Sequence, residues 1–228
     1  MLSAIAIVPC APVLVPELAG AARAEIADLA AAILAATAVL PNRWVAVGTG
    51  HVDAVIGPDG RGTFAGFGVD VPVRLAPKPV GGVQDLPLCA LMAAWVRGQA
   101  RPDGSVDVHV YAADGDPVAA VTRGRQLRAE IDGQADPIGV LVVADGANTL
   151  TARAPGGFDP AGEGAQQLLD DALAGGDVAA LSRLPQRILG RVAFAVLAGL
   201  AGPGPRSAKE LYRGAPYGVG YFAGVWLP

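Results

Sequence analysis

An uninterrupted apolar run that ends in a long polar loop constrains this chain most. Residues 138–144 read IGVLVVA and lead directly into Asp145-Gly146, after which a loop rich in Gly, Pro and polar side chains continues to about residue 158. An apolar run bounded by turn residues is typical of a β-strand buried on both faces. In open α/β sheets, ligands bind beyond the carboxyl ends of such strands. The sequence therefore predicts a buried strand with a candidate site at its C-terminal end.

The remaining apolar segments predict strands that alternate with helices. Residues 2–8 and 44–47 read as buried strands, and between them apolar residues recur every three or four positions over 17–40, which predicts a helix. Strand, helix, strand in this order predicts a parallel pair with a right-handed crossover. The same reasoning places helices over 86–99, 117–131, 159–174, 177–184 and 185–200, strands over 106–111 and 217–227, and a hairpin-like or irregular excursion over 52–79. We expect one α/β domain spanning residues 1–228, with a mostly parallel central sheet flanked by helices on both faces.

Composition excludes several function classes. The net charge of −4, without a basic cluster, gives no electrostatic footprint for nucleic acid. Cys10 and Cys89 stand far apart in the sequence and form no disulfide framework, which indicates a reducing compartment. The apolar start is interrupted by three prolines and lacks a positive n-region, so we expect no signal peptide. Residues 188–201 are too short and too charged to span a bilayer. We expect a cytoplasmic protein without nucleic-acid or membrane partners.

Three segments carry a family resemblance. Residues 8–16 read VPCAPVLVP, residues 47–51 read VGTGH, and the strand and loop at 138–162 are followed by GAPYGVGYF at 214–222. Together they resemble the class III extradiol ring-cleavage dioxygenases, in particular the catalytic (beta) subunit-like domain of divergent actinobacterial members. The resemblance implies a non-haem Fe(II) held by two histidines and a glutamate, a further histidine as acid/base on a bound catechol, and a homodimer. Such a ligand set leaves open positions on the metal for catecholate and O₂.

Carried onto this chain, the family's functional positions are mostly altered. The first ligand histidine falls on Cys10, the second on His51, and the carboxylate on Glu210. The acid/base histidine falls at or near Asn148, whose amide cannot transfer a proton at neutral pH. The whole chain contains two histidines, His51 and His109, which are too few for two ligands and an acid/base. We therefore expect no ring cleavage and no resident cofactor, with an altered Fe(II) or Zn(II) site as the alternative.

The loop after the apolar run is the second candidate site. Its backbone amides and the side chains of Asn148, Thr149, Thr151 and Arg153 would suit a carboxylate or phosphate, and Asp145 begins the same loop, although turn formation accounts for the same residue types. The predicted ligand pocket therefore consists of Asp145, Asn148, Thr149 and Arg153. We expect Cys10, His51 and this loop to share one pocket. Three functions stay open: a non-catalytic protein that binds a small aromatic or anionic ligand, a metal-dependent oxidoreductase or hydrolase with a Cys/His/Glu centre, and a self-associating structural protein with a vestigial pocket.

Overall fold

A seven-stranded β-sheet forms the centre of the computed structural model, which describes residues 1–228 apart from the side chain of Ala21. The strands, in chain order, are β1 (Leu2–Val8), β2 (Arg43–Gly50), β3 (Ala54–Ile56), β4 (Arg61–Thr63), β5 (Pro72–Arg74), β6 (Ser105–Ala112), β7 (Ile138–Val143), β8 (Ser207–Gly214) and β9 (Tyr221–Leu227). Their order in the sheet is β3-β6-β2-β7-β1-β9-β8, and β4 and β5 form a separate hairpin. The four central strands are parallel, while β3, β9 and β8 pair antiparallel at the two sides.

Helices cover both faces of the sheet. They are α1 (Pro16–Ala19), α2 (Ala27–Thr37), α3 (Leu88–Ala100), α4 (Pro117–Asp132), α5 (Pro160–Gly175), α6 (Val178–Leu181) and α7 (Arg191–Ala201), with 3₁₀ turns at Pro12–Leu14, Gly20–Ala24 and Phe64–Phe67. The side chains of α2 and α3 belong to one hydrophobic core, and those of α4, α5 and α7 to the other. No helix formed by the described residues has the length and apolar character that crossing a membrane requires. The predicted α/β fold is confirmed.

The buried strands supply both cores by alternation. All six residues of β7 are buried; Leu141 and Val143 pack into the α2–α3 core, and Val140 and Val142 into the opposite one. This follows from the period of two along a strand, because successive side chains point to opposite faces of the sheet. A central strand covered on both faces must therefore be apolar throughout, as the sequence indicates.

Helices α4 and α7 pack backbone against backbone. A Cβ atom added at Gly124 would lie 2.1 Å from the Val196 carbonyl oxygen, and one added at Gly199 would lie 2.0 Å from that of Val121. Neither position has room for a side chain. The two glycines therefore set how closely these helices approach on the second face of the sheet.

The prediction of one helix over 17–40 is wrong. The chain instead forms α1, a 3₁₀ turn and α2, with a break at Gly20, whose φ is +52°. A left-handed backbone conformation cannot continue a right-handed helix, and glycine adopts it without steric cost. The apolar spacing described the buried faces on either side of the break, but it contained no signal for the break itself.

The elements that contact the long loop also differ from their predicted bounds. The helix predicted from residue 185 begins only at Arg191. The preceding residues, Leu189 and Gly190, instead donate backbone hydrogen bonds to the carbonyls of Gly146 and Asp145. The closing strand begins at Tyr221 rather than 217, since the preceding glycines also pair with the loop. The edge strand β8 was missed: its half-exposed residues show no apolar alternation. Around residues 185–190 and 217–220, hydrogen bonding to the loop after β7 therefore outweighs the local propensity for helix or strand.

Candidate functional site

Three strand ends meet at one edge of the sheet. β7 lies between β1 and β2, all three are parallel, and Val143 pairs with Val8 on one side and with Gly48 on the other. The segments that follow these strands carry Cys10, Asp145 and His51. The prediction that the three strand ends are near neighbours on the same edge is confirmed, which follows from the parallel register.

Asp145 joins the end of β7 to the segment that follows β1. Its Oδ1 atom accepts a hydrogen bond from the backbone N–H of Cys10 at 2.8 Å. Its backbone carbonyl accepts from the N–H of Gly190, at the start of α7, at 2.9 Å. A single residue therefore ties together β1, β7 and α7 at the candidate edge.

Burial controls the ionisation of this cluster. Desolvation raises the pKa of Asp145 to about 7, although the hydrogen bond from Cys10 acts in the opposite direction. Burial, followed by the nearby Asp145 carboxylate, raises the pKa of the Cys10 thiol well above its usual range. Burial also raises the pKa of Cys89 to about 12. Both thiols are therefore protonated at neutral pH, whereas a metal-ligating cysteine must ionise.

The backbone of the long loop is already engaged in hydrogen bonds. The N–H groups of Gly146 and Leu150 donate to the carbonyls of Gly220 and Gly218 at 2.9 and 3.1 Å, and the N–H of Gly156 donates to the Asn148 carbonyl at 2.9 Å. These amides were predicted to hold a carboxylate or phosphate. In the structure the amides of Gly146 and Leu150 hold the loop against the segment that leads into β9, and the amide of Gly156 closes the loop on itself, so the turn-forming role of the loop accounts for them.

The loop side chains that the sequence singles out pack on the loop itself. Asn148 and Thr149 are half-buried and lie against Gly156, where an added Cβ would be 2.6 Å from Asn148 Oδ1 and 2.8 Å from Thr149 Cγ2. The Thr149 hydroxyl is buried and has no hydrogen-bond partner among the described residues. Arg153 is exposed. The structure therefore does not gather the predicted pocket residues, Asp145, Asn148, Thr149 and Arg153, around one open ligand pocket.

A buried glutamine on α5, not predicted from the sequence, supports the loop. Gln166 Oε1 accepts from the Ala147 N–H at 2.8 Å, and Gln166 Nε2 donates to Asp170 Oδ1 at 2.8 Å. Burial raises the pKa of Asp170 to about 6. A Cβ at Gly146 or Gly220 would lie 2.0 Å from Gln166 Oε1, so this packing requires glycine at both positions. The available signal was a Gln and an Asp four residues apart on the apolar face of a helix.

His51 lines a separate groove at the same edge of the sheet. The groove has a volume of about 800 Å³ and lies at the C-terminal ends of β2 and β6, bounded by β3, the turn at Phe64–Phe67 and residues 84–88. Cys10, Asp145 and Asn148 are not among its lining residues. Since β7 separates β1 from β2, the two strand ends lie about 10 Å apart at the usual strand spacing. The structure therefore does not bring His51 into one pocket with Cys10 and the loop.

Glu210 is engaged elsewhere, on the edge strand β8. Its carboxylate accepts from Arg213 Nε at 2.8 Å, and Arg213 also contacts Asp171 at 3.0 Å. Glu210 pairs with Gly224 of β9, and Gly224 pairs with Ile7 of β1. Glu210 therefore lies two strands away from β1, at the level of Ile7 rather than beyond the C-terminal end of β1. Among the described residues, no group of three or more His, Cys, Asp or Glu side chains is placed to hold a metal ion. Cys10, His51 and Glu210 thus do not fit the iron site that the resemblance implies.

Comparison with known proteins supports the architecture. The sequence matches no protein-family model and no curated protein sequence. Among solved structures, the fold is similar to that of JW3007, an uncharacterized protein of Escherichia coli K12, with a TM-score of 0.58 at 10% sequence identity. The alignment covers 98% of this chain and 99% of that chain. At this identity, the likeness shows the fold alone.

Proposed function

We propose that this protein is a divergent relative of the class III extradiol dioxygenases that binds a small aromatic ligand in the His51 groove without cleaving it. The groove carries this proposal. Its volume of about 800 Å³ lies within the range of small-molecule sites. It also lies at the carboxyl ends of parallel strands, where ligands bind in open α/β sheets.

The lining favours a neutral or cationic aromatic ligand over an anionic one. Most of the groove wall is apolar, including Ile56, Phe67 and Val110, and would cover an aromatic ring. The polar groups include His51, Gln84 and Asp85, and no lysine or arginine lines the groove. A carboxylate in the wall repels an anion at short range. Of the two ligand types expected from the sequence, the aromatic one fits this lining better.

The absence of ring cleavage is supported by the residues at the family's functional positions. The buried Cys10 thiol resists ionisation, Glu210 is paired with Arg213, and Asn148 packs on its own loop. Loss of a positioned acid/base alone costs about 10²–10⁴-fold in rate. A disrupted ligand set adds to that loss, so a role in binding is the better supported reading.

Ligand binding is tested by calorimetry with three probes of different charge: catechol, tyramine and protocatechuate. We expect saturable binding of catechol and tyramine and weaker binding of protocatechuate. Ala113→Trp, which places a bulky ring at a residue that lines the groove, should weaken binding, whereas Ala179→Trp, at an exposed position on α6, should not. If no probe binds, or if both tryptophan variants bind equally well, the groove is not the ligand site.

Ring cleavage is tested separately with protein loaded with Fe(II) under anaerobic conditions and then exposed to O₂. Catechol, protocatechuate and gallate should give no ring-opened product above the protein-free control. Turnover on the order of one per second, which lies within the ordinary range for enzymes, would contradict the proposal.

A further inference from the structure

We propose that a second site, on the β4–β5 hairpin, binds a small multiply charged anion between Arg61, Arg74 and Lys78. These three side chains line a cleft of about 640 Å³, here called the arginine cleft. Its lining contains no aspartate or glutamate. It shares no lining residue with the His51 groove, and the proposal does not depend on the function proposed above.

The register of the hairpin places two arginines side by side. Arg61 pairs directly with Arg74 across the antiparallel strands, and the next pair, Gly62 with Val73, is buried on the opposite face. Directly opposed residues project from the same face, with Cβ atoms about 4.5–5.5 Å apart. Like charges in this position destabilise a hairpin. A bound anion would convert this repulsion into two attractive contacts.

Lys78 adds a third cation from a stiff segment. It is one of only two lysines in the chain and stands between Pro77 and Pro79, which line the cleft together with Pro72. Proline fixes φ near −65°, so the backbone that carries Lys78 loses little conformational freedom when a ligand binds. Ordering Lys78 on a ligand therefore costs mainly the rotamer freedom of its side chain.

In the part of the chain that the structure describes, three acidic residues lie near the cleft without forming an ion pair with its cations: Asp59, Asp70 and Glu17, the last of which lines an adjoining pocket together with Arg74. The Asp59 carboxylate accepts from the N–H of Val80, and the Asp70 carboxylate accepts from the Thr63 hydroxyl. The buried Arg97 donates to the Arg74 carbonyl, and its pKa is lowered by burial and then by the nearby Arg74 charge. The ion pairs formed by the described residues do not include Arg61, Arg74 or Lys78.

The cleft suits a compact ligand with two or three negative charges. Guanidinium groups present paired N–H donors that match phosphate and carboxylate oxygens, and the lysine acts as a point charge. The protein as a whole carries a charge of −4, so the positive potential is local and does not form an extended basic track. A phosphate ester, a diphosphate or a polycarboxylate meets these requirements.

Calorimetric titration at low ionic strength tests the site, with pyrophosphate and citrate as probes. At least one should bind saturably, and added NaCl should weaken binding because exposed charges are screened. Arg61→Gln and Arg74→Gln should each raise the dissociation constant by at least about tenfold, as expected for a lost charge-assisted hydrogen bond. Arg183→Gln, which removes the same charge at an exposed position outside the cleft, should leave it unchanged. Preference for pyrophosphate or for citrate decides between phosphate and polycarboxylate ligands.

Thermal unfolding gives an independent readout on the same variants. Without added anion, Arg74→Gln should melt at the same temperature as the wild type or higher, because the like-charge pair is relieved. With saturating pyrophosphate or citrate, the wild type should gain more in melting temperature than the variant. The proposal is overturned if neither probe binds saturably, or if Arg183→Gln loses as much affinity as the cleft variants.

Discussion

The carboxyl group of the half-buried Asp145 should make this protein less stable as the pH rises from about 4 to about 7. In the folded chain its pKa is raised to about 7 by burial, whereas an aspartate in an unfolded chain titrates near 3.9. Below about pH 4 both states hold the proton, and Asp145 makes no difference to stability. Between about pH 4 and pH 7 the unfolded state releases its proton while the folded state keeps it, so unfolding becomes easier.

The magnitude follows from the separation of the two pKa values. They differ by about three pH units, and each unit corresponds to about 1.4 kcal/mol, which gives a loss of at most about 4 kcal/mol above pH 8. For a domain of 150–250 residues, 1 kcal/mol changes the melting temperature by about 2–4 °C. The whole effect therefore amounts to about 8–16 °C.

Asp145→Asn isolates this effect. The amide keeps an oxygen to accept the hydrogen bond from Cys10 N–H but does not ionise. Urea unfolding at pH 5 to 9 should show a variant more stable than the wild type at pH 8, with the difference shrinking towards pH 5. Asp114→Asn, at an exposed position in the turn after β6, should follow the wild-type pH dependence. A wild type and an Asp145→Asn variant with parallel pH profiles would show that the carboxylate is solvated in the folded protein, and the reasoning would fail.

Three further predictions concern the supports of the site and the sheet. Gln166→Leu should cost about 1–3 kcal/mol in urea unfolding, because a buried loop amide loses its acceptor, while Gln167→Leu on the exposed side of α5 should cost much less. Gly124→Ala should destabilise by about 1–3 kcal/mol or more through its clash with α7, whereas Gly164→Ala, whose Cβ meets open space on α5, should stabilise by up to about 1 kcal/mol; equal effects would refute the close packing. The Cys10 thiol should react slowly with an aromatic disulfide reagent at pH 8 in the folded protein and rapidly in denaturing urea, and rapid reaction of the folded protein would show an accessible thiolate.

Periodicity in the sequence was sufficient to predict the central parallel strands and the α/β class, although not the edge strand β8. The apolar runs at β1, β2 and β7 predicted buried parallel strands, and the helical spacing between them predicted the crossovers. Both signals are local, since burial on two faces requires an apolar residue at every position of the strand. The three strand ends that form the candidate edge were therefore predictable. Helix starts such as Asp116-Pro117 were also predictable, because the Asp116 side chain caps α4 through hydrogen bonds to two backbone N–H groups.

Only the tertiary structure decided which candidate residues meet. Sequence order gives no lateral distance, so it could not show that β7 separates His51 from Cys10, or that Glu210 lies two strands from β1 and pairs with Arg213. The loop after β7 was recognisable as polar, but its hydrogen bonds go to segments some 40 and 70 residues later in the chain. The His51 groove and the arginine cleft are both lined in part by the excursion over 52–79, whose short strands have weak local signals. Their lining depends on long-range packing, which is why neither could be predicted from the sequence.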